Sequence, residues 1–329
     1  MSIIETVLGP VDASDLGITL VHEHVVISYP GDHLDPGDKW DRKAVVSLAV
    51  ERMHQLLEHG VRTFVDPCPI ELGRDPELLA EVAETSGMQI VAATGFYTEQ
   101  VGIPYYWKAR TEEEIADLYL HEISNGIGRT GIRPGVIKVA TGDPPSEMER
   151  RFVRAAGMAA VQSGLSIITH CENSVGGNIQ QGILAAEGVD LSRVLVGHQD
   201  QARNVEILRD IASLGSFVGI DRVGWTLLAS DDARADLVMA LLESGYGDKI
   251  CLSQDHACWL RSARWPYPVP ERARIAFEKR RSDIEEQMHT RPHTFLFSQF
   301  WPRLRERGMD RESFERILTA NPCKLFGGH

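Results

Sequence analysis

The chain has 329 residues, enough for one large α/β barrel, which typically needs about 250 residues, or for two ordinary domains. Hydrophobic residues make up 43% and charged residues 25%, so a sizeable core can form. The net charge of −13 argues against binding to nucleic acid or to an anionic membrane, because both select a basic protein face.

The N-terminal residues and the cysteines indicate where the protein works. The opening residues lack the basic segment of a secretory signal peptide, and no apolar run approaches the ~20 residues that cross a bilayer. The five cysteines are an odd number, widely spaced and without a Cys-x-x-Cys pair. Free thiols in a reducing cytoplasm are therefore expected.

Eight short, apolar, β-rich segments alternate with amphipathic helical stretches. The predicted strands are 18–21, 63–66, 90–94, 135–139, 166–170, 194–197, 216–221 and 250–253. Repeated strand–helix units predict parallel strands with right-handed crossovers. The predicted fold is thus a single α/β domain over residues 1–329, a (β/α)8 TIM barrel, and a doubly wound open sheet is the alternative.

Capping sequences mark the starts of the predicted helices. Thr111 with Glu114, and Ser146 with Glu149, have the spacing of a capping box, in which each partner satisfies a free backbone N–H of the first turn. These signals place helices after the third and fourth strands, as a barrel requires.

The segment after the eighth strand, 258–299, is too long for a simple strand-to-helix connection. It carries prolines and aromatic residues, among them Trp259, Trp265 and Tyr267. A long aromatic excursion on the active face predicts a lid or a wall of the substrate site. Cys258 and Trp259 are the candidate substrate contacts.

His22 and His24 lie at the end of the first predicted strand, and together they are the most informative feature of the chain. Two imidazoles one residue apart in an extended segment project to the same side and can hold one metal ion. His170, His198 and Asp255 follow later strands. One such histidine alone is usually a hydrogen-bonded core residue. Because a closed barrel brings all these strand ends to one axis, the set predicts a metal-dependent hydrolase.

Lys138 lies inside the fourth predicted strand, between Ile137 and Val139. One interpretation is an ion-paired or snorkelling lysine, the ordinary fate of such a charge. The other is a lysine carboxylated by CO₂, whose carbamate bridges two metal ions about 3.5–4 Å apart. The residues alone leave both interpretations open.

Asp255, Arg222 and Tyr97 are candidates for catalysis. Asp255 can bind metal and accept a proton from a bridging water, or it can act as a helix N-cap. Arg222 can hold a substrate oxygen, and the phenol of Tyr97 can reach a leaving oxygen; for both, the alternative is hydrogen bonding of loops. His256 is either a hydrogen-bond partner of a ligand or part of a loop.

The order of these motifs resembles the phosphotriesterase family of the amidohydrolase superfamily, especially its phosphotriesterase-like lactonases. The resemblance covers nearly the whole chain, and its matching segments are 15–24, 65–67, 93–97, 138, 168–170, 197–198 and 253–255. It implies two divalent metal ions, with Zn²⁺ first and Co²⁺, Mn²⁺ or Fe²⁺ as alternatives, and a homodimer. The implied ligands are His22, His24 and Asp255 for the buried ion, His170 and His198 for the exposed ion, and carboxylated Lys138 between them.

Tyr97 and the pair Asp221-Arg222 match the lactonase branch. The resemblance therefore implies opening of lactones, N-acyl-homoserine lactones among them, by a hydroxide that bridges the two ions. An organophosphate triesterase or carboxylesterase using the same site is the first alternative, and a non-catalytic ligand-binding barrel is the second. The chain departs from many relatives at Gln254, where they have histidine. This difference leaves the metal ligands intact, but it leaves the identity of the substrate undetermined.

Overall fold

Eight parallel strands form the centre of the molecule, and each lies within two residues of its predicted limits. The computed structural model describes residues 2–261 and 274–328. The strands there are β1 (Ile3–Thr6), β2 (Gly9–Asp12), β3 (Ile18–Leu20), β4 (His24–Ile27), β5 (Val61–Asp66), β6 (Gln89–Gly95), β7 (Val136–Thr141), β8 (Ser166–Cys171), β9 (Val194–Val196), β10 (Phe217–Ile220), β11 (Ile250–Leu252) and β12 (Ala257–Leu260). Central strands β3 and β5 to β11 pair in chain order, all in parallel.

The sheet closes between its first and last strands just above β3 and β11. The N–H of Asp255 donates to the carbonyl of His22 at 3.0 Å, and the N–H of His22 donates to Oγ of Ser253 at 3.0 Å. Beyond them β4 and β12 form a parallel pair. The predicted (β/α)8 barrel is confirmed, and its closure contacts lie at the predicted metal ligands.

One end of the barrel is sealed by apolar side chains. Inward-facing residues of the strands, such as Val65 and Ile168, form one cluster with Ile4 of the β1–β2 hairpin and with Leu16 and Phe326. The hairpin was not predicted, since its short strands carry no long apolar run. Because this end is filled, a ligand can enter only at the opposite end, where the strands terminate.

Helices surround the barrel. Their bounds are α1 (Arg42–Glu58), α2 (Pro76–Ser86), α3 (Tyr105–Lys108), α4 (Glu112–Asn125), α5 (Glu147–Ser163), α6 (Gly177–Ala186), α7 (Val205–Ser213), α8 (Asp231–Glu243), α9 (Arg274–Thr290), α10 (Trp301–Glu306), α11 (Arg311–Leu318) and α12 (Ala320–Gly327). Both predicted capping boxes are formed, by Thr111 with Glu114 and by Ser146 with Glu149. A cap of this kind typically stabilises a helix by about 1 kcal/mol.

The described part of the excursion after the eighth strand is not a simple loop, because it contains strand β12 and the 17-residue helix α9. Trp265 and Tyr267, which were predicted to belong to a lid, lie outside the described residues. Within the described ranges, no helix combines the length and the apolar character needed to span a membrane.

Candidate metal centre

The open end of the barrel holds a cavity of about 330 Å³. All six predicted ligands line it, although they come from five different strands of the barrel, and each is buried or nearly so. They are His22, His24, Lys138, His170, His198 and Asp255. A cavity of this size is typical of a small-molecule site.

The side chains around Asp255 are close enough to share an ion. The Nε2 atom of His24 lies 3.3 Å from Oδ1 of Asp255, and Nε2 of His22 lies 3.7 Å from the same oxygen. The Nζ atom of Lys138 is 3.2 Å from Nε2 of His22. Ligand atoms of His22, His198 and Asp255 all lie within 4.8 Å of one another. Imidazole and carboxylate groups at such spacing are the donor set that zinc prefers.

The histidine rings are held in place from behind by two buried aspartates. The two carboxylate oxygens of Asp221 each lie 2.9 Å from a ring nitrogen, Nδ1 of His22 and Nδ1 of His198. Asp66 binds Nδ1 of His24 at 3.2 Å. A carboxylate that accepts the hydrogen bond of the Nδ1–H group leaves Nε2 unprotonated and available to a metal ion, which is the usual support of a metal-binding histidine.

This support was not predicted from the sequence. In the sequence, Asp221 stands out only as the neighbour of Arg222, and Asp66 only as part of the segment 65–67. A polar residue at the end of a strand was the signal that identified the ligands, and it was available here too. Asp66 ends β5, and Asp221 directly follows β10.

Burial and neighbouring charges set the protonation of these groups in opposite directions. Burial lowers the pKa of His22 to about 4 and that of His198 well below its ordinary value, so both rings are neutral at pH 7. Burial also disfavours charged His24, but hydrogen bonds to Asp255 and Asp66 outweigh it and raise the pKa of His24 well above normal. A metal ion at His24 would therefore replace a proton.

Lys138 is suited to carboxylation. It is 1% exposed, and burial lowers the pKa of its amine to about 8. A larger fraction of the amine is then neutral near neutral pH than in an ordinary lysine. The neutral amine is the form that reacts with CO₂. The glycine at position 95 allows strand β6 to lie close to the backbone of Lys138, because a Cβ there would clash with the carbonyl oxygen of Lys138.

Two predicted ligands have strained backbones. His198 and Asp255 have φ angles of 58° and 47°, in the left-handed region that non-glycine residues seldom adopt. Each such residue costs about 1–3 kcal/mol and persists only where its surroundings enforce it. Asp221 accepts the N–H of His198 at 2.8 Å. Buried Glu23 accepts the N–H groups of Gln254 and His256, on either side of Asp255.

Glu23 lies between the two N-terminal ligands in sequence, yet it points away from them towards the end of the eighth strand. It also accepts the hydroxyl of Ser253 at 2.8 Å. Burial raises the pKa of its carboxyl to about 7. Sequence reasoning missed this role, because the partners of Glu23 lie about 230 residues away.

Tyr97 and Arg222 both line the cavity beside the ligands. The phenol oxygen of Tyr97 lies 3.1 Å from Nδ1 and 3.2 Å from Nε2 of His170. The Nε atom of Arg222 donates to Oδ2 of Asp255 at 2.9 Å. The structure thus brings both predicted catalytic side chains to the ligand cluster.

Cys258 and Trp259 do not reach the cavity, so the geometry does not support their assignment as substrate contacts. Strand β12 packs on helix α1, and both side chains are half-buried against the main hydrophobic core. The Sγ atom of Cys258 lies 3.5 Å from Nε2 of His293. Ala257 and Leu260 of the same strand line the cavity instead.

His256 and Gln254 also face away from the ligand cluster. His256 Nε2 lies 2.9 Å from the carbonyl oxygen of Arg291, and the Gln254 amide donates to the carbonyl of His293. Both residues fasten the chain that follows α9 to the end of the eighth strand. The imidazole of His256 therefore does not support a metal ligand, although its carbonyl accepts the N–H of His24 at 3.0 Å.

Replacing Asp221 with Asn is expected to lower metal affinity about 10- to 100-fold, as the loss of such supporting carboxylates commonly does. An amide cannot accept both Nδ1 protons, so one ring loses its orientation. Equilibrium competition with a chelator measures the change, and circular dichroism checks the fold. Asp232→Asn, on the exposed surface of α8, is the control. Unchanged affinity in the Asp221 variant would remove the supporting role.

Comparison with known proteins identifies the family of the chain. The model of the phosphotriesterase family matches residues 2–326. The chain is 33% identical over 325 residues to an aryldialkylphosphatase of Saccharolobus solfataricus, with 96% of each chain covered. It is 32% identical over 333 residues to a phosphotriesterase homology protein of Mycobacterium tuberculosis, covering 98% of this chain and 97% of the relative.

Solved structures give the same result for the fold. A mutant of a Deinococcus radiodurans PTE-like lactonase superposes with a TM-score of 0.88 at 33% identity, covering 98% of this chain and 100% of that one. An organophosphorus hydrolase from the same organism has a TM-score of 0.88 at 34% identity, with 99% and 97% covered. Since the family model spans almost every residue and the relatives exceed 30% identity over nearly the full length, this chain belongs to the phosphotriesterase family and is a metal-dependent hydrolase.

Proposed function

We propose that the protein is a lactonase that opens its substrate at a binuclear metal centre, with Zn²⁺ the first choice of metal. The observation that carries the proposal is the position of Tyr97, whose phenol reaches the ligand cluster at His170 from the wall of the cavity. Arg222 also lines the cavity and donates a hydrogen bond to Asp255. Together they place two hydrogen-bond donors where a planar ester group would bind.

The residues present suit the metal assignment. His22, His24 and Asp255 would hold one ion, His170 and His198 the second, and a carbamate on Lys138 would link them. When bound, such ions lower the pKa of water and polarise the carbonyl oxygen of an ester. Asp221 holds the Nδ1 side of the buried, neutral rings of His22 and His198, so their Nε2 atoms face the ligand cluster.

The protein side chains supply the remaining steps. Burial alone would raise the pKa of Asp255, but neighbouring His22, His24 and Arg222 hold it well below the usual range. Its carboxylate is therefore ionised and can accept the proton of the attacking water. The Tyr97 hydroxyl can donate to the carbonyl or ring oxygen of the lactone, where negative charge develops.

The cavity walls suit an acyl chain. Above the polar floor the lining is mainly apolar, from Ile27, Leu72, Leu228, Leu260, Ile284 and Met288. N-acyl-homoserine lactones, which join a lactone ring to an aliphatic chain, have this distribution of polarity. A homodimer stays a prediction.

Tyr97→Phe is expected to lower kcat about 10- to 100-fold for every lactone alike, since it keeps the ring but removes a donor to the developing charge. Metal content should not change, because the phenol is not an assigned ligand. Steady-state kinetics on lactones of several chain lengths measure the effect. If the variant changed only chain-length preference, Tyr97 would belong to the substrate wall and not to the chemistry.

The experiment that tests the function is a comparison of kcat/KM on a panel of lactones and on aryl phosphotriesters, after metal analysis. A lactonase predicts higher kcat/KM on lactones. The alternative, an organophosphate triesterase or a carboxylesterase, draws support from the 33% identical aryldialkylphosphatase. If phosphotriesters or open-chain esters gave a higher kcat/KM than every lactone, this alternative would be established. All six assigned ligands are present in one cavity, so a non-catalytic barrel has no support.

A further inference from the structure

Helix α9 presents one face to the cavity. Arg280, Arg281, Ile284, Glu285 and Met288 all line it. Their spacings of three, four and seven or eight residues place them along one side of a helix. The charged residues Arg280 and Arg281 lie about one to two turns before the apolar Ile284 and Met288, so the polarity of the wall changes along the helix axis.

The C-terminal end of α9 is anchored near the ligand cluster. Arg291 follows the helix, stacks on the Trp225 ring at 4.5 Å, and donates to the carbonyl of Val223 at 2.8 Å. The indole N–H of Trp225 donates in turn to the carbonyl of Asp255 at 2.9 Å. Arg280 precedes Met288 by eight residues, which is about 12 Å along a helix. The two arginines therefore stand at the far end of an apolar wall that starts at the metal ligands.

Arg280 and Arg281 bring two positive charges to that far end, next to Glu278 and Glu285 of the same helix, in a chain whose net charge is −13. Arg280 is exposed and makes no ion pair with any residue in the described part of the chain. Arg281 is half-buried and pairs with Glu285 at 2.7 Å. The guanidinium group is planar and binds carboxylates through two parallel hydrogen bonds, more specifically than an ammonium group does.

We propose that Arg280 and Arg281 form an anion subsite, and that the preferred substrates are lactones whose side chain ends in a carboxylate. The inference rests on the proposed lactonase function and deepens it. The lactone ring lies at the metal ligands, the chain follows Met288 and Ile284, and the carboxylate binds at the arginines. Glu285 limits the subsite, because its carboxylate competes with the substrate for Arg281.

The test uses two lactones with the same side chain, one ending in a carboxylate and one in a carboxamide of nearly equal shape. The ratio of their kcat/KM values is compared among wild type, Arg280→Gln, Arg281→Gln and the double variant. Each arginine lost is expected to lower the ratio roughly tenfold, mainly through KM, because a distal ion pair binds ground and transition state alike. Glu285→Gln should raise the ratio, and added salt should lower it in wild type.

Lys279→Gln is the matched control, since it removes one positive charge from the neighbouring, exposed position that does not line the cavity. An unchanged ratio in the double variant, or an equal fall in the Lys279 variant, would overturn the subsite. If the wild-type enzyme opened neither lactone, the proposed function would be wrong. Titration calorimetry of the two compounds on metal-loaded protein then decides the subsite separately, and equal Kd values for wild type and double variant would refute it.

Discussion

His22→Ala is expected to abolish hydrolysis and to leave the protein with fewer bound metal ions. The imidazole of His22 is the ring that meets both Lys138 Nζ, at 3.2 Å, and Asp255 Oδ1, at 3.7 Å. Because metal-assisted hydrolysis depends on both the ion and the water it activates, a loss of roughly 10³-fold or more in kcat/KM is expected.

Metal content by atomic spectroscopy and lactone kinetics measure this prediction together. His54→Ala is the control, because His54 is exposed on α1, away from the cavity. Two metal ions per chain and full activity in the His22 variant would show that the metal centre has been assigned to the wrong residues. His170→Ala is expected to act in the same direction, as it removes an assigned ligand of the second ion.

Lys138→Ala is expected to cause a comparably large loss, again roughly 10³-fold, since no anion would then link the two cations. The alanine leaves an empty space lined by buried His22, which a small carboxylate can enter. Formate or acetate should therefore restore part of the activity in a concentration-dependent manner.

Lys138→Met provides the matched control for this rescue. Methionine fills the same volume without an amine, so added carboxylates should find no space and restore nothing. Intact-mass spectrometry and a crystal structure of the metal-loaded wild type test the modification directly. An unmodified amine turned away from the metal ions would refute the carbamate.

Much of the site follows from a local property of the sequence. Polar residues such as His170 and His198 directly follow or end apolar runs, and in a parallel barrel every such end opens on the same face. That rule is sufficient to predict the fold and the histidine and aspartate candidates, because the strands are apolar and separated by well-capped helices, whereas the role of Lys138, inside β7, came only from the family resemblance. The eight central strands were therefore predicted within two residues of their limits.

The substrate wall shows where such reasoning ends. Trp259 is aromatic and lies four residues after Asp255, yet it packs on the core because β12 lies against α1. Met288 and Ile284 line the cavity instead, from a helix about 30 residues further along the chain. Proximity in sequence to a catalytic residue does not decide which way a side chain faces.

The sequence by itself determined the alternation of strands and helices and the polar residues at the strand ends, because these follow from the hydrophobic pattern within short segments. Tertiary structure alone decided the partners of those residues: Asp221 between His22 and His198, Glu23 behind Asp255, and α9 across the cavity. Such contacts join residues far apart in the chain, and the closing of the barrel selects them through shape and burial, which no local pattern records.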